Sequence, residues 1–133
     1  MTKFSAPLNR WRHCLTDGAG EEIRAQLARF YGADEIEGWC RHYDRALAEY
    51  ADAYGDDAEV VISRCPGQMN IVGMHIDYGG MPSIRLSVRG TDTITIARAG
   101  GNSRVRMHSV LEVPGEPADR FAPLEFDLGD LVP

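Results

Sequence analysis

The spacing of apolar residues in the first half of the chain predicts two amphipathic helices. The first begins after position 20, with two glutamates in its first turn, a stop at Gly32, and apolar residues at Ile23, Leu27 and Phe30. A longer helix follows, with an Asp-x-x-Glu capping box formed by Asp34 and Glu37 and an end at Gly55. We expect its apolar stripe to face the core and not a ligand: Ile36, Cys40, Tyr43, Leu47, Tyr50 and Tyr54.

From position 59 onward the pattern changes to the β-branched runs and alternating residues that are typical of strands. Residues 60–62 predict a strand and residues 69–73 predict its return partner, which would place a bend between them. Further alternation predicts strands at 84–88, 91–99 and 103–110. The Gly-Gly-Asn loop at 100–102 predicts that the last two pair as an antiparallel hairpin. Three prolines between 114 and 123 predict an irregular connection.

Together these elements predict an α+β fold, with two N-terminal helices followed by a mainly antiparallel sheet. Half-buried strands need a second layer, and the helices can supply it. The 133 residues fit a single domain, with a helical region at 1–58 and a β-rich region at 59–133.

Composition narrows the range of partners. The formal net charge is −6 and the basic residues form no block, which argues against binding of nucleic acid. No apolar run approaches the ~20 residues that cross a bilayer, and the first residues lack the apolar stretch of a secretory signal. The three cysteines include no CxxC pair and indicate neither a disulfide framework nor a zinc site. We therefore expect a protein of the reducing cytoplasm that does not associate with membranes.

A glycine-punctuated segment between positions 64 and 80 carries the densest set of candidate functional groups. It reads RCPGQMNIVGMHIDYGG. This string resembles RxPGRxNLIGEHxDYxGG, the galactokinase signature within the GHMP kinase superfamily. The matching residues are Arg64, Pro66, Gly67, Asn70, Gly73, His75, Asp77, Tyr78, Gly79 and Gly80. The segment departs from the signature at Gln68, where the family has a second arginine, and at Met74, where the family has a glutamate.

The resemblance implies a fold, a reaction and cofactors. The fold would be the N-terminal half-domain of GHMP kinases, the ribosomal S5 domain 2-like fold, in an incomplete form. The reaction would transfer a phosphoryl group from ATP, with Mg²⁺, to a monosaccharide and give a sugar 1-phosphate. The family's glycine-serine phosphate loop and its catalytic aspartate have no counterpart in these 133 residues. We therefore expect the sequence to be the truncated first part of such a kinase, and we expect it to bind neither ATP nor Mg²⁺ alone.

The resemblance also implies roles for individual residues. Arg64 would be catalytic, near the acceptor hydroxyl and the base, where a guanidinium stabilises negative charge. The residues that bind the sugar would be Gly73, Met74, His75, Asp77 and Tyr78. His75 and Asp77 are two positions apart, so on an extended segment both point to one side and can hydrogen-bond neighbouring hydroxyls. Met74 cannot bind a hydroxyl as a glutamate does, which favours a 6-deoxy or otherwise modified hexose.

The same residues allow other interpretations. A His-x-Asp pair could form half of a metal site, but no further ligand accompanies it and we expect no metal. The chain could be a non-catalytic sugar-binding or regulatory remnant of a truncated kinase gene, or an unrelated small α+β interaction domain. An incomplete sheet would leave an apolar face or an open edge, which predicts self-association.

Overall fold

A computed structural model describes residues 5–17, 20–73, 79–80, 82–112 and 117–131. The chain forms two compact units, residues 1–97 and 98–133. The first unit contains β1 (Ser5–Pro7), α1 (Leu8–Thr16), α2 (Glu21–Tyr31), α3 (Ile36–Tyr54), β2 (Glu59–Val72) and β3 (Ile84–Ala97). The second contains β4 (Arg104–Met107), β5 (Val110–Leu111), β6 (Asp119–Arg120), β7 (Leu124–Asp127) and a 3₁₀ turn at Leu128–Leu131. Helices and antiparallel strands in this order confirm the predicted α+β class.

Both predicted helices are present. α2 stops at Gly32 and α3 at Gly55, and both glycines have a φ of +86°. The predicted stripe of α3 faces the core, which confirms its interpretation as packing. Its buried members are Ile36, Cys40, Tyr43, Leu47 and Tyr50, and Tyr54 packs against them. No helix in the described parts of the chain is long and apolar enough to cross a membrane.

Three details of the helical region differ from the predictions. The residue before α3 is Glu35, which makes no side-chain cap hydrogen bond. The predicted capping box is therefore wrong, because Asp34 lies one residue too early to reach the first free amides. α1 is a further helix that the sequence pattern above does not predict. On α2, Leu27 is buried and Ile23 packs against the core as predicted. Tyr31 is fully buried whereas Phe30 is 48% exposed, so the buried face differs from the prediction at this one position.

The sheet of the first unit has the order β1-β2-β3, with antiparallel neighbours. β2 is continuous, so the predicted bend within it is wrong, and residues 69–72 pair with β3. The register shifts between Cys65 and Gly67. Pro66 lies in this shift, and because proline has no N–H to donate, an irregular pairing lets the strand continue past it.

The helices cover one part of the β2–β3 ribbon, residues 59–65 and 92–97, which we call the covered half. Inward and outward side chains alternate here: Val60 is fully buried, Ile94 and Ile96 pack against the core, and their neighbours along the strands are exposed. The buried core comprises Leu8, Leu15, Leu27, Tyr31, Ile36, Cys40, Tyr43, Leu47, Tyr50, Ala58 and Val60. Helices thus supply the second layer, as the sequence predicts.

The remainder of the ribbon, residues 67–72 and 84–90, we call the bare half. Met69 pairs with Leu86 and Val72 pairs with Ile84, and such cross-strand partners lie on one face of a sheet. The exposed fraction of these large apolar side chains is between 52% and 55%, and the group consists of Met69, Ile71, Val72, Ile84 and Leu86. The bare half therefore presents an apolar face to its surroundings.

In the second unit β4 pairs with β7 and β5 pairs with β6, all antiparallel. The predicted hairpin of residues 91–99 with 103–110 is therefore wrong. β3 pairs with β2 because this register brings Ile94 and Ile96 onto the same face as Val60, beneath the helices. The predicted irregular connection contains the two-residue strand β6 and leads into β7, the partner of β4.

Candidate functional site

Arg64 lies on β2 at the border between the covered half and the bare half. It pairs with Ile94 and follows Val60 and Ile62 on the inward face of the strand. The side chain therefore points toward α2, and only 21% of it is exposed. A guanidinium that is mostly withdrawn from water needs a partner, because an uncompensated buried charge is strongly unfavourable.

Asp92 is that partner. Nε of Arg64 donates to Oδ2 of Asp92 at 2.7 Å, and Nη2 donates to Oδ1 at 3.1 Å, which makes a bidentate pair. The Asp92 side chain is fully buried, and its hydrogen bond raises the pKa of Arg64. Sequence reasoning missed Asp92, although a signal was present. Asp92 precedes Ile94 and Ile96 in strict alternation, so an acidic residue occupies an inward position of a predicted strand.

Two tyrosines continue the network into the core. The hydroxyl of Tyr31 accepts a hydrogen bond from Nε of Arg64 at 3.1 Å, and it lies 3.1 Å from the hydroxyl of Tyr43. Burial raises the pKa of both tyrosines, and hydrogen bonding to Asp92 raises that of Tyr31 further. Both hydroxyls therefore stay neutral at physiological pH, so they can bridge the charged pair to the helices without adding a charge.

Aromatic rings hold the face of the guanidinium. Cζ of Arg64 lies 4.7 Å from the ring centroid of Phe30 and 5.1 Å from that of Tyr31, which is the geometry of a cation–π contact. Tyr31 in turn stacks on Trp39, with ring centroids 3.8 Å apart. Arg64 is thus fixed both along its edge, by Asp92, and across its face, by α2.

Two glycines of the motif are explained by their surroundings. A Cβ on Gly67 would collide with Oγ1 of Thr91 and lie 2.9 Å from its carbonyl oxygen. Gly73, which the resemblance places among the sugar-binding residues, has a φ of +92°, and a Cβ there would lie 2.8 Å from Cβ of Ser83. Gly73 therefore turns the chain at the end of β2 with a backbone that other residues rarely adopt.

The predicted site residues fall into two groups. Arg64 and Gly73 are described and lie on one continuous stretch of chain, Arg64 beside Ile94 and Gly73 after the end of β2. The nine residue steps from Arg64 to Gly73 cover about 30 Å when the chain is extended. The strand therefore keeps these two residues apart. The other predicted sugar-binding residues lie outside the described residues: Met74, His75, Asp77 and Tyr78.

The described residues offer no ready metal centre. Across residues 5–17, 20–73, 79–80, 82–112 and 117–131, no group of three or more His, Cys, Asp or Glu side chains could hold a metal ion. The chemistry visible at the border of the ribbon is instead that of one oriented guanidinium.

Comparison with known families identifies the segment that contains this network. Residues 48–98 match the family model described as the galactokinase galactose-binding signature. The chain carries a galactokinase signature. The matched residues include the end of α3, all of β2 and β3, and therefore both Arg64 and Asp92. The resemblance to galactokinases inferred from the motif is confirmed.

Curated galactokinases show the same relationship over a longer stretch. Those of Lactococcus lactis subsp. cremoris and Lactococcus lactis subsp. lactis are each 31% identical to this chain over 87 residues. The aligned residues make up 65% of this chain but only 20% of either relative, so the chain matches a fifth of their length. No solved structure matches the chain significantly.

Proposed function

We propose that this chain binds a monosaccharide, galactose or a close relative of it, as the N-terminal part of a galactokinase-like sugar kinase. The observation that carries the proposal is the match of residues 48–98 to a galactose-binding signature. The fold supports it, because β2 carries the first part of the motif and is followed by Gly73, immediately before residues 74–78.

In this proposal the sugar is held by the segment that follows β2. His75 and Asp77 donate and accept hydrogen bonds to neighbouring hydroxyls, Tyr78 and Met74 contact the ring, and Gly73 sets the direction of the chain. A site of this kind needs a few placed polar groups on a supported backbone, and the β2–β3 ribbon is that support.

Arg64 has a separate part in the proposal. In the complete enzyme, which uses ATP and Mg²⁺ as galactokinases do, its guanidinium stabilises the negative charge that develops on the acceptor oxygen and the transferring phosphoryl group. The pairing of β2 with β3 is irregular at residues 65–67 and 70–72, between Arg64 and the segment proposed to hold the sugar.

Titration calorimetry with galactose tests the sugar site. Wild-type chain should bind galactose saturably, and His75→Ala and Asp77→Ala should each weaken binding at least about tenfold, because each removes a hydrogen-bonding group from a buried hydroxyl. His13→Ala, an exposed residue of α1 that pairs with Asp17, is the matched control and should bind as wild type does. Equal affinity of all four proteins would refute the proposed site.

The departure at Met74 leads to a finer proposal about which sugar is preferred. The thioether of Met74 cannot replace the charge-assisted hydrogen bond that the family glutamate makes to a sugar hydroxyl, worth about 1.5 to 3 kcal/mol. A hexose that lacks this hydroxyl therefore loses less binding free energy at this site than galactose does. We expect 6-deoxygalactose to bind at least as tightly as galactose. Met74→Glu should restore a preference for galactose, and a wild-type chain that clearly prefers galactose would contradict the proposal.

A non-catalytic sugar-binding or regulatory role is the second candidate. It is favoured by the matched family model, which describes a galactose-binding signature. Fusion of this chain to the remainder of a galactokinase, followed by incubation with ATP, Mg²⁺ and galactose, separates the two candidates, because these 133 residues contain no counterpart of the family's phosphate loop. Formation of galactose 1-phosphate would exclude the non-catalytic role, whereas saturable galactose binding without ADP formation would support it.

A further inference from the structure

Most of the guanidinium of Arg64 is in contact with neighbouring side chains. Nε is shared between Asp92 and Tyr31, Nη2 is bound to Asp92, and the face lies against Phe30. Nη1 takes part in none of the hydrogen bonds formed among the described residues. Since a guanidinium carries five N–H donors, the pair with Asp92 leaves the Nη1 edge for another oxygen.

We propose that Asp92 is a positioning residue, which holds the Nε–Nη2 edge of Arg64 so that Nη1 is presented to an oxygen of the sugar. The inference rests on the proposed function of Arg64. It goes beyond that function because it assigns a role to a residue outside the motif, 28 positions further along the chain.

The role that we assign to Asp92 requires a carboxylate, because the buried partner of a guanidinium has to compensate its charge. The Asp92 side chain is fully buried and Arg64 is its ion-pair partner, so the pair exists in one geometry and not as a fluctuating surface contact. Tyr31 adds a second acceptor for Nε at 3.1 Å, which further restrains the torsions of the Arg64 side chain. An arginine restrained in this way loses less conformational freedom when a ligand binds.

A purely structural role would predict something different. If the Arg64–Asp92 pair only stabilised the fold, any substitution of Asp92 that preserved folding would leave the affinity for the ligand unchanged. The chain provides a matched control for this comparison, because Nε of Arg12 also donates to an aspartate, Oδ1 of Asp44, at 2.7 Å. That pair joins α1 to α3 and belongs to neither the ribbon nor the motif.

The experiment compares Asp92→Asn with Asp44→Asn in the full chain by two measurements. The first is the ¹⁵N spectrum of arginine side chains. We expect Arg64 Nε–H to give a distinct, slowly exchanging signal that moves to the position of solvated arginines in Asp92→Asn and stays in place in Asp44→Asn. The second is galactose affinity of the folded variants, which should fall about three- to tenfold in Asp92→Asn and remain unchanged in Asp44→Asn.

The outcomes separate the two levels of the proposal. Absence of galactose binding by the wild-type chain would refute the proposed function. Wild-type affinity in Asp92→Asn, with the Arg64 signal displaced, would overturn the positioning role alone, as would a wild-type Arg64 signal that already resembles solvated arginine. Should Asp92→Asn fail to fold, Tyr31→Phe carries the same test, because it removes one acceptor from Nε and should weaken galactose binding by about twofold.

Discussion

The two halves of the β2–β3 ribbon contain similar residues in different surroundings. In the covered half, Val60 is fully buried and Ile94 and Ile96 pack against the core. In the bare half, Met69 and Leu86 are equally apolar and are paired across the strands, yet each is more than half exposed. Strand formation is thus common to both halves, and only the layer of helices distinguishes them.

The functional motif begins where the helices stop covering the ribbon. Arg64 is an inward residue of β2 that contacts α2. Gly67 follows it in the bare half, and Gly73 follows the end of β2. A rigid, buried base therefore supports a more exposed segment of strand that leads to the proposed sugar-binding residues. This arrangement is common in binding sites, where a packed scaffold positions the groups that contact a ligand.

The largest difference between the halves should appear in folding stability. Leu47 of α3 is fully buried, so Leu47→Ala should lower the free energy of unfolding by about 2 to 5 kcal/mol. Leu86 is 54% exposed, and Leu86→Ala should change it by no more than about 0.5 kcal/mol. Urea denaturation measures both. A loss at Leu86 as large as that at Leu47 would show that the bare half is packed in solution.

The border between the halves depends on a close backbone approach at Gly67. Gly67→Ala should cost about 1 to 3 kcal/mol, because the added Cβ collides with Thr91 of the facing strand. Gly38→Ala is the matched control. Gly38 lies within α3, and a Cβ added there would meet no atom within 4 Å, so the change should stabilise the chain by about 0.5 to 1 kcal/mol. The same sign for both substitutions in urea denaturation would contradict this view of the border.

Alkaline pH should weaken the covered half through Tyr31. Burial raises the pKa of this hydroxyl above its ordinary value of about 10. Its contribution to stability is therefore complete below about pH 10, and it is lost as the pH rises through that value toward the pKa of the folded state. Urea midpoints between about pH 8 and pH 11 should fall less steeply in Tyr31→Phe than in wild type. An unchanged slope in Tyr31→Phe would refute the assignment.

The smallest expected effect concerns self-association through the bare half, which stays a prediction. Five half-exposed apolar side chains on one ribbon form a weak contact surface for a second copy of the chain. Sedimentation velocity should show reversible association at high concentration that Leu86→Ser weakens. Leu128→Ser changes a leucine of similar exposure in the second unit and serves as the control. If the wild-type chain sediments as a monomer at every concentration, the prediction of self-association is wrong.

The sequence permits accurate prediction where a single face is buried. The 3.6-residue period of α3 and the stops at Gly32 and Gly55 follow directly from the pattern, because one stripe of that helix packs and the other is solvated. Strand pairing is different. Residues 69–72 are mostly β-branched or apolar, which suits both a strand that returns against 60–62 and a continuation of β2. The local pattern therefore does not decide the pairing, and the tertiary partner, β3, does.

The motif could be recognised from the sequence, whereas the residues that support it could not. Arg64 is found from the string in which it lies, whereas Asp92 and Tyr31 are distant in sequence and belong to elements assigned only to packing. Their contribution depends on distances that arise when α2 closes over the ribbon. A charged residue at an inward strand position, as at Asp92, is the one local sign of such a network.

Titration of the ¹⁵N-labelled chain with galactose tests most directly whether the motif carried by the β2–β3 ribbon binds a sugar. We expect saturable shifts in the amide signals of Gly73, Gly79 and Gly80 and in the side-chain signal of Arg64, with Gly38 and Gly55 unmoved. Shifts absent from all residues of the motif at saturating galactose would contradict the proposal that this chain is the sugar-binding part of a galactokinase-like protein.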